Sequence, residues 1–242
     1  MAGDRRHAPL DRGDRRLHHA DVGTPSHRRA ARRRGGGGLR AVATQRQVVL
    51  ASTSRTRLRL LQAAGVPFVV EAPGLDEAEL KRSLRAAGAQ PAQAAETLAE
   101  MKAQRVSRRR PGEIIIGADQ LLACEGVWFD KPASRSEAAA QLRALRGRRH
   151  DLVSSVAAVR DGVRLWHATD AAQLTVRPFS DAFLEDYLER AGVTALESVG
   201  GYQLEALGAQ IFSRVRGDFF TILGLPLLPL LDFLRAQGIV AE

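Results

Sequence analysis

The residues of this 242-residue chain that could carry chemistry cluster between positions 54 and 131. Asp119 lies inside Ile114-Ile115-Ile116-Gly117-Ala118-Asp119-Gln120-Leu121-Leu122. That apolar run reads as a strand buried on both faces. A carboxylate there is costly without partners; it is either a structural Asp bonded to amides at a strand end or a working group. Ser54-x-x-Arg57 falls where a strand gives way to a helix. Free amides and the helix dipole favour an anion at such a junction, and an Arg one turn in can clamp it. Without a ligand the same pair is a capping serine and a solvated arginine. Lys102 sits on the apolar stripe of its helix with Ala95, Leu98 and Val106, as a site lysine or as one snorkelling at the stripe's edge. Lys131 precedes Pro132, which fixes the local backbone. Glu77 follows Asp76 at a helix start, where any acid is favoured by the dipole.

Taken together these residues form a chemical type. Arg57, Lys102 and Lys131 supply positive charge for phosphate oxygens, while Asp119 and Glu77 supply carboxylates for a hard divalent cation, Mg2+ or Mn2+. A carboxylate, three cations and a metal suit attack of water on a phosphoryl group.

Composition narrows the class. Residues 1–46 carry 12 Arg against 4 Asp, a net of +8, and the rest carries 24 basic and 23 acidic residues, a net of +1. The basic balance therefore belongs to the N-terminal segment, and the nearly neutral body is not expected to bind nucleic acid. The single cysteine, Cys124, excludes an intramolecular disulfide framework. His150 and His167, the only histidines of the body, lack the spacing of a zinc pair. The apolar stretch 222–234 is broken by Pro226, Pro229 and Asp232 and is too short to span a bilayer. Met1 is followed by no apolar signal core. The expectation is a soluble, cytoplasmic protein.

The elements that must position the site follow from periodicity and breakers. Residues 1–46, rich in Arg, Gly and His, lack an apolar period and read as a disordered, dispensable tail, which a start codon read too far upstream would also produce. Order is expected from Gln47, in one domain over 47–242. A strand over 48–51 precedes a helix over 55–64, and a strand over 66–70 precedes the turn Pro73-Gly74. A short helix from Asp76-Glu77 and a long one over 91–109 lead to the Asp119 strand and a short strand over 127–129. A helix over 134–145, strands over 151–159 and 165–176, a helix over 180–190, a Gly-rich segment over 200–208 and a helix over 227–236 complete the chain. Alternating strands and helices imply an α/β protein with a mixed sheet.

Residues 47–240 resemble the Maf (septum-formation inhibitor) nucleoside triphosphate pyrophosphatases. The likeness is carried by Leu50-Ala51-Ser52-Thr53-Ser54 with Arg57, Leu75-Asp76-Glu77, Leu98-Ala99 with Lys102-Ala103, and Ile116-Gly117-Ala118-Asp119-Gln120. It continues through Asp130-Lys131-Pro132, Gly200-Gly201-Tyr202, Glu205-Ala206-Leu207-Gly208 and Gly217-Asp218 to Gly224-Leu225-Pro226-Leu227. Arg55 stands where the family usually has Pro, and Thr56 where it often has Arg or Trp. The resemblance implies an inosine-triphosphatase-like α/β fold, a mixed twisted sheet in two lobes flanking a cleft, commonly dimeric. It implies hydrolysis of a nucleoside triphosphate to the monophosphate and pyrophosphate, as sanitation of the nucleotide pool. Asp119 matches the catalytic residue, Ser54, Arg57, Lys102 and Lys131 the phosphate contacts, and Glu77 the acid near the metal. Thr56, Gln120 and Glu205 match the positions that divide the subgroups. Gln120 and Glu205 look like the subgroup preferring 7-methyl-GTP, whereas Thr and Gln mark one preferring dTTP or UTP. A partly desolvated Glu205 would attract the cationic 7-methylguanine more than a neutral amide would. A non-catalytic inhibitor of cell division that senses a nucleotide is a different class of reading, and an RNA-binding role of the Arg-rich tail is a third.

Deleting residues 1–45 is expected to leave the melting temperature and turnover nearly unchanged, because that segment has little apolar surface to pack. A large drop in melting temperature would show that it packs on the body.

Overall fold

The computed structural model describes residues 47–241, so the expected tail lies outside the described residues. Strand β1 (Val48–Leu50) leads to α1 (Arg55–Ala63), β2 (Phe68–Val70), α2 (Glu77–Ala86) and α3 (Pro91–Ser107). Then come β3 (Ile115–Cys124), β4 (Val127–Phe129), α4 (Arg135–Leu145), β5 (Arg149–Arg160), β6 (Val163–Val176) and α5 (Asp181–Ala191). Three short 3₁₀ turns, Gly192–Leu196, Val199–Gly201 and Leu207–Ile211, precede β7 (Phe212–Arg216), α6 (Phe219–Ile222) and α7 (Leu227–Ala236). Most boundaries lie within two residues of the sequence expectation. β7 and α6 are additions. β7, Phe-Ser-Arg-Val-Arg, is an exposed strand at the edge of the sheet with little apolar signal, and α6 is one turn long, too short for a helical period to show.

The strands form one mixed sheet in the order β2-β1-β3-β5-β6-β7, with β4 on the far end of β3. β1 runs parallel to β2 and β3, and the remaining pairs are antiparallel. β3 is the axis. On one edge, β1 pairs with it at Ile115 and Ile116, and β4 takes over at Leu122. Between those two partners residues 117–121 have no strand on that side, while β5 pairs continuously on the other. The notch is where a ligand can reach the sheet, at the carboxyl end of β1.

Alternation along β3 sends Ile115, Gly117, Asp119 and Leu121 to the face covered by α3, and Ile116, Ala118, Gln120 and Leu122 to the other. On the α3 face, Ile115 packs with Ala103 and Val106, and Leu121 with Ala94 and Ala95. On the opposite face, Ile116 and Ala118 pack with Leu61 of α1 and Leu230 and Leu234 of α7, whereas Leu122 packs with Leu142 and Leu145 of α4. The apolar cover thus breaks on both faces at the same place, where Asp119 and Gln120 stand. Gly117 lets α3 come close: an added Cβ would overlap the Ala99 carbonyl oxygen and lie 2.8 Å from the Ala103 nitrogen.

The apolar core that Leu142 and Leu145 of α4 share with Leu184 and Leu188 of α5 holds a polar pair. His150 on β5 is buried, its Nε2 is 2.6 Å from the Tyr202 hydroxyl, and Tyr202 meets Phe212 edge-on. Burial pulls the imidazole from 6.5 down to about 4. The folded chain keeps His150 neutral where the unfolded chain would take up a proton, so its contribution is intact above the unfolded value and is lost as pH falls from 6.5 towards 4. Between pH 7 and pH 5 the wild type is expected to lose about 2 kcal/mol more unfolding free energy than His150→Gln, by urea titration. Equal losses in the two proteins would show that His150 is not held neutral.

Candidate functional site

The loop after β1 begins the site. Ser54 caps α1, its hydroxyl accepting from the Arg57 amide at 3.5 Å. This bears out the capping role and leaves Ser54 on the wall of a cavity of about 400 Å3 in the notch. Arg57 is buried rather than solvated. Its Nε donates to the Gly224 carbonyl at 2.7 Å and its Nη1 to the Ser52 hydroxyl at 3.4 Å. Gly224 holds a φ of 91°, and a Cβ there would sit 3.4 Å from Arg57 Nη2. Burial lowers the Arg57 pKa from its usual range, against the charges of Asp119 and Glu77; as a guanidinium it stays protonated.

Lys102 does not snorkel. It is 3% exposed, like Asp119, and its Nζ donates to Asp119 Oδ1 at 2.6 Å and lies 2.9 Å from Glu77 Oε2. One ammonium therefore serves two carboxylates from different elements. Asp119 Oδ2 is buried with no hydrogen-bond partner among the described residues. Among those residues no three His, Cys, Asp or Glu gather into a metal-binding cluster. Two carboxylates with an unpaired oxygen nevertheless suit a hard cation such as Mg2+, which keeps much of its shell as water and phosphate oxygens.

Lys131 stands at the rim, exposed to solvent, with no ion pair among the described residues. Partial loss of hydration, then the neighbouring cations Arg57, Lys102 and Lys81, lower its pKa from the lysine range, with Glu77 opposing them. Gln120 points to the opposite face from Asp119. Its Nε2 donates to Ser154 Oγ and to the carbonyls of Thr221 and Ile222 at 2.9–3.1 Å, fixing the α6 turn to the sheet. A narrower pocket of about 40 Å3 adjoins the main cavity and shares Thr56, Gln120, Ser198, Val199 and Leu223 with it. Glu205 also lines this pocket, so the three positions singled out for base selection do converge. Glu205 itself is exposed, which corrects the expectation of a partly desolvated carboxylate: it lies in a loop between the 3₁₀ turns Val199–Gly201 and Leu207–Ile211.

Sequence reasoning missed Ser52, Lys81, Asp130 and Glu197, all of which line the main cavity. Ser52 carried a signal, since it stands in the same hydroxyl-rich loop as Ser54. Glu197 is tied to Arg55 at 3.2 Å, a contact across 142 residues of chain that no local pattern reveals, and to the nearby Gln203 at 3.4 Å.

Against models of protein families, residues 47–237 match that of the Maf-like protein. The chain belongs to the Maf-like family. A relative in Paramagnetospirillum magneticum, named nucleoside triphosphate pyrophosphatase, is 57% identical over 190 residues, 78% of this chain and 98% of that one. Another of the same name in Rhodospirillum rubrum is 51% identical over 193 residues, 80% of this chain and 96% of that one. A solved nucleoside-triphosphatase, a dITP/XTP pyrophosphatase from Mycobacterium abscessus, aligns with a TM-score of 0.37 at 16% identity over 80% of this chain and 95% of that one, too distant a likeness to bear on the chemistry. Among the described residues of this Maf-like chain, no helix is long and apolar enough to cross a membrane.

Proposed function

We propose that this Maf-like domain hydrolyses a nucleoside triphosphate to the monophosphate and pyrophosphate, with 7-methyl-GTP as its preferred substrate. The observation that carries the reaction is the pairing pattern in the cavity. Asp119 Oδ2 has no hydrogen-bond partner, and the cations Arg57 and Lys131 have no carboxylate partner among the described residues. A phosphoric anhydride meets the two cations, and the water that attacks it donates to Asp119 Oδ2.

In this reading Lys102 grips Asp119 Oδ1 and fixes the carboxylate, leaving Oδ2 to accept a proton from water. The water oxygen bonds to the α-phosphorus as the bond from that phosphorus to the bridging oxygen breaks. Pyrophosphate leaves with that electron pair, and Arg57 and Lys131 offset the charge it gains. Glu77 and Asp119 would hold a divalent cation, whose chemistry is Lewis-acid polarisation of the phosphate oxygens. The named activity of the relatives supports the same reaction.

Asp119→Asn is expected to cut turnover by about 10²- to 10⁴-fold while nucleotide binding is largely kept. Pyrophosphate release under single-turnover conditions measures it. Near-normal turnover would remove Asp119 from the proton transfer, and orthophosphate as the first product would place cleavage at the γ-phosphate and overturn the reaction.

For the base, Gln120 and Glu205 face one pocket, and a carboxylate there favours the cationic 7-methylguanine. Because Glu205 is exposed, screening limits its selectivity to about fivefold, below the ten- to hundredfold of a buried charge-assisted bond. Glu205→Gln is expected to lower the kcat/KM ratio of 7-methyl-GTP to UTP by up to about fivefold. A wild type that prefers UTP, or a ratio that the substitution leaves unmoved, sinks the assignment.

A further inference from the structure

Helix α2 lines the cavity with Glu77 and, one turn on, Lys81. None of its residues is buried, and charges tie it to the end of β4. Lys81 Nζ donates to Asp130 Oδ1 at 3.1 Å, and Arg85 donates to Asp130 Oδ2 at 2.9 Å while stacking its guanidinium 5.3 Å from the Trp128 ring centre. The Lys81 side chain is only 11% exposed. Long lysines on a helix without buried residues normally extend into water; this one lies against the cavity instead.

We propose that Lys81 is a phosphate-binding residue for the pyrophosphate end of the substrate, with Asp130 as the residue that positions it; this rests on the pyrophosphate-releasing reaction above. The division of the cavity gives the location. Thr56, Gln120 and Val199 are shared with the narrow pocket assigned to the base, whereas Lys81, Asp130 and Ala78 line the main cavity alone. Lys81 therefore belongs to the part of the site that the base does not claim.

Charge gives the role. Lys102 is engaged by Glu77 and Asp119, and Glu197 is matched by Arg55 from outside the cavity. Asp130 splits its two oxygens between Lys81 and Arg85. Burial would raise the Asp130 carboxyl, but Lys81 and Arg85 together outweigh it and hold the group below the usual carboxylate range. Arg85 can neutralise Asp130 alone, so Lys81 keeps its orientation and offers its remaining N–H groups to an anion. Arg57, Lys131 and Lys81 then make three cations for a leaving group whose charge grows as it departs.

The test uses the full chain and needs no turnover. Pyrophosphate and guanosine monophosphate are titrated separately by calorimetry into wild type, Lys81→Met, Lys81→Arg and Asp130→Asn. Loss of one charged hydrogen bond in Lys81→Met is expected to weaken pyrophosphate binding about tenfold, with guanosine monophosphate unchanged. Lys81→Arg keeps most of the affinity, and Asp130→Asn loses less than Lys81→Met. Pyrophosphate affinity unmoved in Lys81→Met overturns the assignment. So does a parallel loss for guanosine monophosphate, which would mean that α2 had shifted as a whole. Lys81→Gln repeats the comparison should Met disturb folding. Product identity in the single-turnover assay tests the parent reaction separately: orthophosphate there would overturn that reaction whatever Lys81 binds.

Discussion

The ion pair between Lys102 and Asp119 is the constraint on which the site depends. Both groups are almost sealed from solvent, one on α3 and one on β3. Such a pair is weak evidence for stability, since desolvation offsets much of the attraction, yet removing one partner leaves a buried charge and costs about 3–5 kcal/mol. Making the pair requires α3 to lie hard against β3. Gly117 on the strand, with Ala99 and Ala103 on the helix, provides that approach, because any side chain at 117 would meet backbone. A packing feature thus sets the position of the chemical group.

The sheet supplies the opening. β1 ends its pairing at Ile116 and β4 begins at Leu122, so the Asp119 segment has no strand partner along one edge while β5 supports the other. On the back face Gln120 and Ser154 bind the α6 turn, holding the loop whose Gly224 carbonyl receives Arg57. Residues remote in sequence are thereby set around one cavity by backbone hydrogen bonds and close contact.

Within the cavity, charge is distributed unevenly. Lys102 is committed to two carboxylates, whereas Arg57 is held by neutral acceptors and keeps its charge for a ligand. Loss of hydration, and after it crowding by like charges, weakens the protonated form of Lys131. An arriving polyanion would offset the crowding of like charges, which supports the proposed phosphate site.

The sequence alone determined the α/β alternation, the doubly buried β3, the cap at Ser54 and the closing helix over 227–236, because apolar period and capping chemistry are local. It also singled out Asp119 and Lys102, since a charge on an apolar pattern is visible without a structure. β7 and α6 escaped it, one being a charged edge and the other a single turn. Only the tertiary structure decided that Lys102 serves Glu77 and Asp119 together, that Arg57 is buried, that Glu205 is exposed and that Lys81 lines the cavity while paired with Asp130. Each depends on which elements the fold brings together and how tightly they pack. Burial and partner choice are properties of the assembled sheet and helices, and no periodicity along the chain encodes them.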